Sequence, residues 1–449
     1  MITNNKCLWV ILCSLVAFVK LSWAQNPIIT NQFSADPTAR VFGNKIYLYP
    51  SHDILPQLGQ GRPNWFCMAD YHVFSSDNLT DWTDHGVIIS QDKVNWVDFA
   101  AYSMWAPDCV CKNGKYFFYF PAPAKDKALG RGFSIGVAVS DTPYGPFIPQ
   151  NEPIKNVHGI DPCVFIDNDG QAYLYWAQGE MYVAKLKENM LELETMPQVI
   201  ENLPQQGLKE GPFTFERKGI YYLTYPHVKN KTERLEYAIS TSPMGPFKVA
   251  GIIMDEHPNG CWTNHQSITN FQNQWYLFYH HNDLSPKFDK NRSVCIDSLN
   301  FNADGTIQKV TPTLRGVGIT AATANIQIDR FSKASNSGVS VEFLDTLNTF
   351  GGWKAVLDKP NAWLQYNNVD FGEKRLKTVQ MRTQSRVGGI LSLRSKDING
   401  PIIAEVFIPK NREWNIVTAP LSMFQSGIQN ICISLIDDKS VNIDWIKFE

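Results

Sequence analysis

Residues 160–176 read "IDPCVFIDNDGQAYLYW". An acid before proline opens a short apolar run, Asn-Asp-Gly turns the chain, and a second run returns on aromatics, which is the pattern of a β-hairpin. It recurs as "SADPTARVFGNKIYLYP" from Ser34, "WAPDCVCKNGKYFFYF" from Trp105, "KEGPFTFERKGIYYLTYP" from Lys209 and "NHQSITNFQNQWYLFYHH" from Asn264. From Asp36 to Tyr47, Asp161 to Tyr173, Glu210 to Tyr222 and His265 to Tyr276 the separation is about 11 or 12 residues, and from Asp108 to Phe117 about 9. Constant spacing implies a constant structural role. A second element, "SDTPYGPF" from Ser140 and "STSPMGPF" from Ser240, follows the alternating runs "IGVAV" and "LEYAI". Copies roughly 50 to 70 residues apart, each worth about four strands, predict a five-bladed β-propeller. In that architecture the first strand of each blade lines a central channel, so Asp36, Asp108, Asp161, Glu210 and His265 converge on one mouth. An aspartate before a strand needs no function beyond making a turn. A turn role alone does not explain acids at the same place in blade after blade.

The chain has 449 residues, room for one large domain and a smaller one. Its first 24 residues read as an export leader: Lys6 precedes the apolar run from Cys7 to Val19, and Ser22-Trp23-Ala24 supplies small residues at the cleavage positions. Leu12 before Cys13 is too bulky for a lipoprotein site. The run is too short to span a bilayer, so the expected product is exported, periplasmic or extracellular, with no membrane span. Removing Lys6 and Lys20 with the leader leaves 39 basic against 43 acidic side chains, a net charge of −4. That balance excludes a nucleic-acid binder. Seven cysteines remain, an odd number without CxxC pairs, which reads as small buried residues with at most one or two bridges.

Carboxyl groups across a cleft point to glycosidic hydrolysis. One, protonated, donates to the leaving oxygen; the other, ionised, activates water. A third tunes the pair, because a neighbouring anion in an apolar site raises a carboxyl pKa. Glu210 has the longer reach and no counter-charge in Gly211, Pro212 and Phe213, which suits the acid. Asp36, between Ala35 and Pro37, suits the base. Asp161, on the preceding repeat, suits an orienting and modulating role.

These residues resemble glycoside hydrolase family 43, which carries an Asp base in an "ADP" context, an Asp modulator in "DP" and a Glu acid in "EGP". Here they stand as "SADPTA", "GIDPCVF" and "KEGPF", in the family's order, and "MWAPD", "SSDNLTDWTDHG" and "RSVCIDSLNFNADGTIQKV" are also similar. The likeness covers about residues 26–318. It implies a five-bladed propeller over 25–318 and inversion of configuration. The substrates it implies are xylo- or arabino-oligosaccharides. The segment "PSHDILPQLGQGRPNWFCMADYH" is similar to members that remove terminal xylose or arabinofuranose, so exo action is expected. The resemblance implies that Arg292 contacts the substrate or the modulating acid. It also makes His265 a candidate ligand for a structural calcium ion, although hydrolysis by paired carboxyls requires no cofactor. Trp105 and Trp65 are candidates for sugar-stacking walls, and Asp108 is the weakest substrate-binding candidate. Asp70, Asp77 and Trp82 read as structural.

After "RGVGITAATANIQ" the hairpin pattern stops and an all-β tail begins. "AWLQYNNVDFG" and "NIDWIKF" resemble family 6 carbohydrate-binding modules, implying a jelly-roll-like β-sandwich over 319–449. There Trp353, Trp363 and Tyr366 are candidates for a sugar cleft. The chain has "IQIDRF" where that family commonly opens with a Glu-Ala-Glu pattern, so sugar and calcium binding do not carry over with the likeness. The combined expectation is an exported inverting β-xylosidase/α-L-arabinofuranosidase. The rivals are an endo-arabinanase or β-galactosidase of the same fold and a glycan-binding protein without catalysis. Oligomeric state is left open.

Overall fold

The computed structural model describes residues 26–126, 132–258, 260–423 and 425–449; the expected leader lies outside them. The first part of the chain forms five antiparallel sheets. Sheet one holds β1 to β4 (Ala35–Phe42, Lys45–Ser51, Asp70–Ser76, Thr83–Ser90) and sheet two β5 to β8 (Asp108–Lys112, Lys115–Pro123, Phe133–Ser140, Ile148–Pro149). Sheet three holds β9 to β12 (Ile160–Ile166, Ala172–Gln178, Glu180–Lys185, Gln198–Val199) and sheet four β13 to β16 (Phe213–Arg217, Ile220–Val228, Glu233–Ser240, Lys248–Met254). Sheet five has three strands rather than the expected four, β17 to β19 (Ser267–Phe271, Gln274–His281, Ser293–Leu299).

All five sequence hairpins fall on the first two strands of a sheet. Two-residue turns close four of them, and in three, Asn113-Gly114, Lys218-Gly219 and Gln272-Asn273, both positions carry positive φ, as a type I′ turn requires. The first strands contact one another in succession, β1 with β5, β5 with β9, β9 with β13 and β13 with β17, and β17 contacts β1. Apolar clusters fill the spaces between neighbouring sheets. Tyr49 and Tyr71 meet Phe118 and Phe120; Tyr119 meets Trp176; Tyr175, Tyr225, Tyr237 and Tyr279 share a third cluster; Leu48 and Phe74 meet Phe278 and Ile296. Each large side chain removed from water contributes roughly 1.5–3 kcal/mol, so the aromatic returns of the hairpins hold the sheets together. The segment before β1 runs beside β19: Ile28 N donates to Val294 O at 2.9 Å and Ser34 N to Arg292 O at 2.8 Å. The edge that lacks a fourth strand is thereby covered.

Residues 320–448 supply two six-stranded sheets whose inward faces share one core, including Leu364, Met381, Leu393, Ile433 and Ile443. The strand Thr378–Ser385 alternates buried and half-buried residues along its whole length, the period of a strand covered on one face. Two residues expected at a sugar cleft belong to this body's packing instead. Tyr366 is wholly buried, its hydroxyl donating to Ile328 O. Trp353 is buried against Phe343 with Arg330 over its ring. Trp363 is half-buried. All seven described cysteines are free, and all but Cys111 are buried.

Candidate active site

The turns that open the first strands have a shared conformation. Asp36 (φ 46°), Ala106 (φ 38°), Asp161 (φ 58°) and Gly211 (φ 55°) are left-handed, and each precedes a proline. For residues other than glycine such a backbone costs roughly 1–3 kcal/mol and persists only where the surroundings enforce it. At Asp36 and Asp161 the turn throws a carboxyl group into a pocket at the ends of the first strands. Gly211 needs its freedom for a second reason: a Cβ there would lie 2.9 Å from Pro226 and 3.1 Å from His265.

The pocket has a volume of about 170 Å³ and is lined by Asp36, Asp161, Glu210, Glu233, His265 and Arg292 beneath an aromatic wall of Trp65, Phe66, Trp105 and Trp262. Two larger concavities, of about 770 and 600 Å³, gather no comparable set of carboxyls; chemistry rather than size identifies the site. Asp36 Oδ1 accepts from Arg292 Nη1 at 2.7 Å and Oδ2 from Ser51 Oγ at 2.6 Å. Its backbone N–H donates to His280 Nδ1 at 3.0 Å. Arg292 is fixed in turn by Asp53, which accepts from Nε at 2.9 Å and Nη2 at 2.8 Å. Burial pushes the Asp36 carboxyl up, but Arg292, then His280, His265 and Ser51, outweigh it and hold the group well below the usual carboxylate range.

The opposite holds for the other acids. Burial, then the charges of Glu210 and Asp36, push Asp161 well above its ordinary range, against the pull of the Gly211 N–H and Arg292. Burial also raises Glu210, partly offset by its carboxyl neighbour Glu233, with Asp36 adding to the rise. Glu233, 2% exposed, is raised well above its range by burial first and Glu210 second. One pocket therefore holds a carboxylate kept ionised beside carboxyls biased toward the protonated form, the division of labour that general acid and base require.

Of the residues expected from sequence, Asp36, Asp161, Glu210, His265, Arg292, Trp65 and Trp105 line this pocket. Asp108 does not. Both its oxygens are committed, Oδ1 accepting from Arg40 Nε at 2.9 Å and Cys109 N at 2.7 Å, Oδ2 from Arg40 Nη2 at 2.7 Å and Val164 N at 2.6 Å. It ties β1, β5 and β9 together. His265 is kept neutral chiefly by burial, opposed by Asp36. Its Nδ1 lies 3.8 Å from Asp36 Oδ1, an oxygen that already carries Arg292. One imidazole and a carboxylate neutralised by a guanidinium do not make the oxygen-rich shell calcium favours, so these residues do not fit such an ion. Sequence reasoning missed Glu233, Ser51, Asp53, His280 and Trp262. Ser51 and Asp53 follow the first hairpin directly in "PSHD"; Glu233 opens a third strand, where no repeated motif marks it.

Residues 24–307 match the family model for glycosyl hydrolases family 43, and residues 331–449 match that for the family 6 carbohydrate binding module. The chain is 37% identical to "Xylosidase/arabinosidase 43A" of Humicola insolens over 64% of this chain and 99% of that protein. It is 27% identical to an "Arabinoxylan arabinofuranohydrolase" of Bacillus subtilis over 88% of this chain and 86% of the relative. Among solved structures, a β-xylosidase/α-arabinofuranosidase from a compost metagenome, in complex with xylotriose, is similar with 34% identity and a TM-score of 0.57, over 64% of this chain and 98% of the other. The match spans well over half the sequence and carries the pocket's carboxyls with it: the chain belongs to glycosyl hydrolases family 43.

Proposed function

We propose that this enzyme is an exported, inverting exo-glycosidase that releases terminal xylose or arabinofuranose from xylo- or arabino-oligosaccharides. The observation that carries the reading is the convergence of Asp36, Asp161 and Glu210 on one small pocket, where Arg292 and its neighbours hold the Asp36 carboxyl low and burial raises that of Glu210. In the proposed step Glu210 gives its proton to the glycosidic oxygen as the bond to the anomeric carbon breaks. Asp36 takes a proton from a water whose oxygen forms the new bond on the opposite face. The products are an inverted sugar and a shortened alcohol, and the two carboxyls exchange protons with solvent to reset. Asp161 orients the acid, Arg292 holds the base, and the aromatic wall packs on the sugar's apolar face.

The small pocket supports exo action, since it suits one terminal residue better than a continuous chain. The relatives named xylosidase/arabinosidase and the neighbour solved with xylotriose support the pentose class. The succession of first-strand contacts, with β17 returning to β1, supports reading the five sheets as propeller blades over 25–318. The two facing sheets support a jelly-roll-like sandwich over 319–449. For location the supporting features are the leader-like N-terminal sequence and the lack, among the described residues, of a helix long and apolar enough to cross a membrane. Proton NMR of the first sugar released from an aryl β-D-xyloside tests the stereochemistry. The α anomer is expected first; initial appearance of the β anomer would rule out inversion.

A further inference from the structure

A second cluster, away from the pocket, gathers two imidazoles and a carboxylate. His257 follows β16, His281 ends β18, and Asp283 lies two residues beyond it. His257 Nε2 is 3.7 Å from Asp283 Oδ1, and His281 Nδ1 is 3.9 Å from Asp283 Oδ2. The imidazole rings meet edge to face, with centroids 3.9 Å apart, and one ligand atom from each residue falls within 4.8 Å of the others. None of the three lines the carboxyl pocket.

Two polar atoms here lack the partners that buried groups ordinarily find. His281 is 4% exposed, and its Nε2 is buried without a hydrogen bond. Ser293, directly opposite it on β19, is fully buried with an unpartnered hydroxyl. From these residues we propose a structural zinc site, with His257, His281 and Asp283 as ligands and the fourth position open to water. Tetrahedral bonds of about 2.0–2.1 Å put neighbouring ligand atoms roughly 3.4 Å apart. The three ligand atoms lie within 4.8 Å of one another, so binding would draw them together by up to about 1.4 Å. Two nitrogens and one oxygen suit zinc rather than calcium, which favours an all-oxygen shell. The ion would staple the loop after sheet four to the end of sheet five. The other histidine cluster, His52, Asp70 and His72, is half-buried, with His52 against Asp70 at 2.7 Å and His72 against Asp84 at 3.0 Å, and serves as the comparison.

The proposal stands or falls independently of the hydrolytic reading. Tag-free full-length protein is dialysed against zinc chloride, passed through a desalting column and analysed for metal, alongside Asp283→Asn, His281→Gln and, as control, His72→Gln. We expect about one zinc per chain in wild type and His72→Gln, loss of most of it in the other two, and a zinc-dependent rise in Tm that only the zinc-retaining proteins share. No retained zinc in wild type, full zinc in both Asp283→Asn and His281→Gln, or loss confined to His72→Gln would overturn the site. Should the two ligand variants fail to fold, diethyl pyrocarbonate labelling of wild type decides. Zinc must protect His257 and His281; equal labelling with and without zinc would refute it.

Discussion

Asp161 Oδ2 accepts a hydrogen bond from the backbone N–H of Gly211 at 2.9 Å, so one carboxyl fixes the peptide that carries another, Glu210. Gln266 Nε2 holds the next peptide unit, donating to Gly211 O at 3.0 Å. Asp161→Ala leaves that N–H buried without an acceptor, at a cost of about 1–3 kcal/mol in stability. It also loosens the acid, for which a loss of about 10²-fold in kcat is expected. Asp161→Asn keeps an acceptor oxygen and should retain more of both. Denaturant unfolding and steady-state kinetics on the two variants provide the check; equal kcat in both would remove the positioning role.

Arg292 bridges Asp36 and Asp53, all three buried. Arg292→Met strands two carboxyls and is expected to cost roughly 3–5 kcal/mol. In wild type the folded value of Asp36 is depressed. Its stabilising contribution is therefore present above the unfolded value of about 3.9 and is lost only as pH falls through the depressed folded value. Without the guanidinium, burial dominates and the base titrates higher. The acidic limb of kcat/KM should move to higher pH in Arg292→Met, and an unmoved limb would contradict the assignment of Asp36 as the titrating base.

Glu210 carries the reverse sign. Its raised value favours the neutral form in the folded protein, so its contribution is lost, and the acid form disappears, as pH rises above the unfolded glutamate value of about 4.3 and through the raised folded one. Glu233 holds Glu210 down from a position where its own Oε2 accepts from Asn264 N at 2.6 Å. Glu233→Ala should shift the basic limb of kcat/KM upward in pH, whereas Glu233→Gln, which still offers both a donor and an acceptor, should shift it less. A basic limb identical in wild type and Glu233→Ala would exclude the coupling.

The Arg40–Asp108 pair tests a structural role against a catalytic one. Arg40→Met leaves Asp108 buried and unpaired, so a loss of about 3–5 kcal/mol is expected, with kcat on aryl glycosides within about twofold of wild type under conditions where the variant is folded. A large fall in kcat at full folding would return Asp108 to the substrate site.

Much of this arrangement was legible in the sequence because it repeats. Five hairpins opened by a polar residue at fixed spacing locate five sheets, and the residues before the prolines locate the pocket. What did not repeat stayed hidden. Asp108 stands two residues further along its hairpin than Asp161, because Ala106 is the left-handed residue before the proline there, and Arg40 from the neighbouring sheet claims its carboxylate. Glu233 carries no hairpin motif and reaches the pocket through tertiary packing alone, and Asp53 meets the site only through Arg292. Tyr366 reads as a candidate for a sugar cleft because sequence alone does not reveal which face of its strand turns inward; it is wholly buried.

The most direct test compares wild type, Asp36→Ala and Glu210→Ala on p-nitrophenyl β-D-xyloside, p-nitrophenyl α-L-arabinofuranoside and xylobiose. Asp36→Ala should lose nearly all activity on each substrate, because each needs the activated water. Glu210→Ala should lose nearly all activity on xylobiose but keep a substantial part on an aryl sugar, whose phenolate leaves with little protonation. Equal losses in Glu210→Ala on aryl and natural substrates, or substantial turnover by Asp36→Ala, would contradict the assignment of Glu210 as acid and Asp36 as base.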